Sequence, residues 1–153
     1  MMNNPSNQPG QDAGLEPRLR TMRILWAAFL ITIGLYVLVT VFAAPWKNAA
    51  EEGRDNPTLL AAFAVMGFLS VAASFVLKRH FYAHAAEQSS PAKFQTGFIV
   101  AEVFCEFAVL LGLVGLFVTL NRYAYALFVL GALGQLLHFP RRDQLAAAYM
   151  KGF

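Results

Sequence analysis

Sulfur chemistry has almost nothing to work with in this 153-residue chain. Cys105 is the single cysteine, which excludes an intramolecular disulfide and any CxxC metal or redox site. Charge is scarce too, at 14% of residues, where a soluble globular domain carries about 25%. No Ser-His-Asp order, P-loop or GxGxxG is present, so no enzyme activity and no cofactor is expected. Nucleic acid is excluded as a partner on similar grounds. The net charge of +3 comes from basic residues at the ends of apolar blocks, not from a stripe that could track phosphates.

What the chain has instead is apolar length. Hydrophobic residues make up 58% of it, 14 of them Phe, and the mean hydropathy is +0.50. Four apolar blocks fall at about 24–44, 57–77, 97–120 and 123–139. Each is of the order needed to cross a hydrocarbon core of about 30 Å. The fold class expected is an all-α membrane protein, a four-helix transmembrane bundle over residues 18–140. Residues 1–17, rich in Asn, Gln, Pro and Gly, are expected to be a disordered tail and not a signal peptide, because no apolar h-region follows a basic start. Asn56-Pro57 and Ser90-Pro91 each read as an N-cap followed by a first helical proline. Helix can continue past the second block to Glu87, and residues 141–153 form an interfacial tail whose Leu145, Ala148 and Tyr149 should face lipid.

Lys and Arg are unevenly shared between the two ends of this bundle. Arg18, Arg20, Arg23, Lys78, Arg79, Lys93, Arg141, Arg142 and Lys151 fall on one side, and Lys47, Arg54 and Arg122 on the other. The excess predicts a multi-pass protein of a bacterial cytoplasmic (inner) membrane with both termini cytoplasmic. Close glycine pairs, Gly112/Gly115 and Gly131/Gly134, and Ser70 with Ser74 on the second block, suit tight helix packing in lipid.

Two acids interrupt the third block. Glu102 and Glu106 are i, i+4 and therefore share one helix face. An acid near mid-membrane costs about 2.5–3.5 kcal/mol, so it must face the bundle interior, find a partner or stay protonated. If the third and fourth helices reverse tightly at 121–122, Glu102 lies level with Arg141, and Glu106 with residues 135–138. The expected cluster is thus Glu102 with Arg141 and Arg142, and Glu106 with His138 and Gln135. Its roles divide between fixing helix register and handling protons or cations. His80 and His84 are i, i+4 with Glu87 one turn on, a spacing that can hold a transition metal.

Glu106 and the run through Gly112-Leu113-Val114 (EFAVLLGLV) resemble the carboxylate-bearing helix of ATP-synthase c-type proteolipids. The resemblance covers about ten residues of one block and implies ion binding at Glu106. In overall plan the chain resembles small, uncharacterised four-span inner-membrane proteins of bacteria. The expectation for the whole is a non-enzymatic accessory or interaction subunit of a larger membrane assembly, its partners being lipid and other membrane subunits or further copies of itself. The alternative is a proton- or cation-handling transporter or proteolipid-like channel component that uses Glu106 and Glu102.

Overall fold

The computed structural model describes residues 9–43, 56–88 and 90–150, with side chains from 14 to 146. Every regular element among them is helical: α1 (Pro9–Ala43), α2 (Pro57–Glu87), α3 (Pro91–Thr119), α4 (Tyr125–Leu137) and α5 (Arg142–Met150). A single 3-10 turn, Arg122–Ala124, precedes α4. α1, α2 and α3 are each long and apolar enough to cross a membrane, and α4 is a shorter apolar helix. These features suggest a membrane protein. Large apolar side chains such as Leu35, Phe42, Phe68, Phe107 and Leu137 point outward while the acids of α3 point inward. Water would favour the reverse, and hydrocarbon favours this.

Local chemistry sets the helix ends. The Asn56 side chain accepts from the Leu59 amide at 3.0 Å, and Pro57, which has no amide to leave unpaired, stands first in α2. Ser90 holds the equivalent place before α3, but its hydroxyl makes no capping bond. α3 stops at Leu120, whose φ of 54° breaks the helical run, and the Asn121 side chain then accepts from the Tyr123 amide at 2.9 Å. α1 starts within the segment expected to be a tail. Leu15 is buried there, giving that stretch an apolar surface to fold against, and residues 1–8 lie outside the described part.

α2, α3 and α4 pack as an up-down series with α3 at the centre. Gly67 meets Ala108, Ser70 bonds Phe104, and Gly97 meets Phe81, so α2 and α3 run antiparallel. α4 returns along α3: Gly131 faces Val109 and the Cys105 carbonyl, and Gly134 faces the Cys105 thiol. A Cβ at Gly131 would lie 2.8 Å from that carbonyl oxygen, so only glycine permits the approach. α1 lies antiparallel to α4, with Trp26 Nε1 donating to the Gln135 carbonyl at 2.8 Å and the Tyr125 hydroxyl donating to Thr40 at 2.9 Å.

The ends of α1, α2 and α3 that overhang α4 gather with Leu145 of α5 into an apolar cluster of Leu15, Leu19, Met22, Ala85, Phe94 and Phe98. Tyr82 and Phe94 stack here at 3.8 Å. Leu145, expected to face lipid, is 1% exposed and plugs this cluster. α5 folds back onto the bundle because the cluster offers more apolar contact than an interface would. Ala148 and Tyr149 lie outside the described side chains.

Candidate functional site

The polar groups of three helices converge on one interior strip. α2 supplies Ser70, Ser74 and Lys78 at i, i+4 and i+8, a single face. α3 supplies Glu102, Cys105 and Glu106, and α4 supplies Gln135 and, at its C-terminal end, His138. All of these residues are buried.

Ser74 fixes the proton arrangement at one end of the strip. Its hydroxyl donates to the Val71 carbonyl at 2.6 Å, so its oxygen is left to accept from His138 Nε2 at 2.8 Å. This geometry assigns the ring proton to Nε2 and leaves Nδ1 as an acceptor. Nδ1 is 3.4 Å from Lys78 Nζ, which also donates to the His138 carbonyl at 3.3 Å. The Lys78 ammonium lies 5.3 Å from the centre of the Tyr82 ring. Cys105 donates weakly to the Ser74 oxygen at 3.5 Å. His138 therefore has both ring nitrogens engaged and a carbonyl holding a buried cation.

The two acids have different surroundings. Glu106 Oε2 accepts from Gln135 Nε2 at 3.0 Å, and the Tyr36 hydroxyl of α1 approaches the same carboxylate. Glu102 is wholly buried, and neither of its oxygens has a hydrogen-bond partner among the described residues. The charges that act on it are Lys78, which attracts, and Glu106, which repels. The Tyr82 hydroxyl, which also feels Glu102, is likewise buried without a hydrogen-bond partner among the described residues.

The expected cluster is thus partly reassembled. Glu106 and Gln135 meet as anticipated. His138 lies in the same strip but bonds Ser74 and Lys78, not Glu106. Arg141 and Arg142 do not reach Glu102: both are exposed, and Arg142 lies 3.7 Å from Glu16 on α1. The cause is register. With Gln135 opposite Glu106 and Gly131 opposite Val109, the reversal is centred on Leu120, not between Asn121 and Arg122. That shift brings His138, not Arg141, level with Glu102. Lys78 was missed because a lysine closing an apolar block looks like an interfacial anchor. The available signal was its i+4 spacing from Ser74 and Ser70.

His80 and His84 stack edge-to-face at 4.4 Å, and His84 Nδ1 lies 3.2 Å from Glu87, all three on an exposed face. Among the described residues no three His, Cys, Asp or Glu side chains converge as a metal-binding group.

These features define a class: a helical protein with membrane-length helices and an interior acid–base strip. Compared with protein-family models, curated proteins and solved structures, the chain matches none.

Proposed function

We propose that this chain is a multi-pass protein of a bacterial cytoplasmic membrane, a non-enzymatic subunit of a larger membrane assembly that handles protons or small cations through its buried acids. One observation carries the reading: Glu102 sits inside a membrane-length helix, fully buried, with both carboxylate oxygens unbonded. An acid kept only to hold two helices in register is expected to be bonded across them, since a buried polar atom without a partner costs about 1–3 kcal/mol. A group that takes up and releases a proton or cation must keep its oxygens available.

The distribution of basic residues supports a topology. Arg18, Arg20, Arg23, Lys78, Arg79, Lys93, Arg141 and Arg142 all belong to the end where α1 and α3 begin and α2 and α4 finish, which the basic excess assigns to the cytoplasm. α4 with its 3-10 turn completes a fourth crossing of roughly 25 Å, seated along α3. Proton entry into proteoliposomes under an imposed potential tests the function. Uptake above that of protein-free vesicles is expected, and its absence overturns the reading.

A second reading, an accessory subunit whose polar groups only set register, is favoured by the satisfied interhelical bonds Ser70 to Phe104, Trp26 to Gln135 and Gln135 to Glu106. It expects no uptake, with assembly unaffected by Glu106→Gln.

A further inference from the structure

The two acids are not equivalent, and the difference selects the ion. We infer that Glu102 is the proton-binding group, that Lys78 is its built-in counter-cation, and that Glu106 is a positioning residue. The inference rests on the proton- or cation-handling reading and narrows it to protons.

Glu106 is tied to α4 through one oxygen, which accepts from Gln135, and moving an ion there would disturb a bond that sets α3 against α4. Glu102 makes no such bond, so its carboxylate can change state without unlocking the bundle. The groups that act on it are Lys78 and Tyr82 from α2 and Cys105 and Glu106 from its own helix, with His138 at the end of α4 level with it in register. Arg141 acts more remotely, through Lys78. Lys78 is the buried lysine among these groups.

The Lys78 side chain, held by the His138 carbonyl and ring nitrogen, already fills the strip with a basic group where a sodium or potassium ion would have to sit. A metal cation entering the strip would share it with Lys78 and would find one unbonded carboxylate, where such an ion needs several oxygen ligands. A proton needs only one oxygen. It adds to a Glu102 carboxylate oxygen to give the neutral acid, and release returns the carboxylate. Lys78 keeps both His138 contacts throughout, so no other covalent bond is made or broken.

The experiment combines flux and labelling on the full-length protein. In vesicles of phosphatidylethanolamine and phosphatidylglycerol, potential-driven proton uptake should be lost in Glu102→Gln and retained in Glu87→Gln, whose carboxylate lies on an exposed face outside the strip. Replacing choline with sodium in the buffer should leave the parent's rate unchanged, and radiolabelled sodium should not enter. Independently of any variant, a carbodiimide that attacks protonated carboxyls in apolar surroundings should label the parent at Glu102, located by peptide mass spectrometry, without protection by sodium. Uptake that survives Glu102→Gln, labelling confined to Glu106 or absent from Glu102, or sodium competition in the parent each overturns this assignment while proton or cation handling stands. No ion uptake by the parent at all removes the functional reading itself.

Discussion

Gly131→Ala is the sharpest test of how α3 and α4 meet. A Cβ at residue 131 would stand 2.8 Å from the Cys105 carbonyl oxygen and closer still to the Val109 side chain. The valine can turn, but the carbonyl belongs to the helix and yields only if α4 moves away from α3. Overpacking of this kind costs about 1–3 kcal/mol, against which alanine returns roughly 0.5–1 kcal/mol of helix propensity. The net expectation is a loss of about 1–2 kcal/mol. Gly34→Ala is the matched control, because nothing lies within 4 Å of the new carbon there; it should gain about 0.5–1 kcal/mol. Unfolding by dodecyl sulfate titration in mixed micelles reads both variants. The displacement reaches the site as well, since Gln135 is one turn beyond Gly131 and its 3.0 Å bond to Glu106 should lengthen. If Gly131→Ala proves as stable as Gly34→Ala, the close approach of the two helices is wrong, and the placement of Glu106 against Gln135 falls with it.

Lys78→Met, Glu102→Leu and the double variant form a cycle whose coupling should favour the pair by about 1–3 kcal/mol in the same unfolding assay; additive effects would show that the two charges do not act on one another. Leu145→Ala should cost about 2–4 kcal/mol, because the leucine fills a buried cluster, whereas a lipid-facing position would show almost no change. A periplasm-active reporter fused after Arg54 should be active and one fused after Glu87 silent, and activity at Glu87 would reverse the proposed orientation.

Much of this architecture is legible in the amino-acid sequence. Runs of apolar residues mark three membrane-length helices because in hydrocarbon every backbone amide must bond within its own segment. Asn56-Pro57 marks the start of α2, and the inward turn of Glu102 and Glu106 follows from the cost of leaving an acid in oil. Register was harder. Whether the five-residue connection from Leu120 to Ala124 reverses at Leu120 or one and a half residues later depends on which residue takes the left-handed conformation, and leucine gives no hint that it will. That displacement, less than one helical turn, replaces Arg141 with His138 beside Glu102. Leu145 was hidden for another reason: in a short amphipathic helix an apolar residue is read alike whether lipid or protein covers it.

Lys78 shows how helix length alone can reverse the meaning of a residue. A lysine followed by arginine and histidine at the end of an apolar block looks like a chain stop, with its ammonium reaching water. Here α2 runs a further nine residues to Glu87, and Ala85 and Tyr82 pack with Phe94, Phe98 and Leu145 beyond the lysine. The layer built from those residues seals the route by which the ammonium would have reached solvent and leaves it at 8% exposure. Once sealed in, a cation must find acceptors or a countercharge. The His138 carbonyl and ring nitrogen supply the acceptors, and Glu102 supplies the charge. The overhanging ends of α1, α2 and α3, and α5 folded under them, are therefore what turn an anchor into a component of the site. Shortening that layer, for example by removing α5, should return Lys78 to solvent and leave Glu102 alone in the bundle.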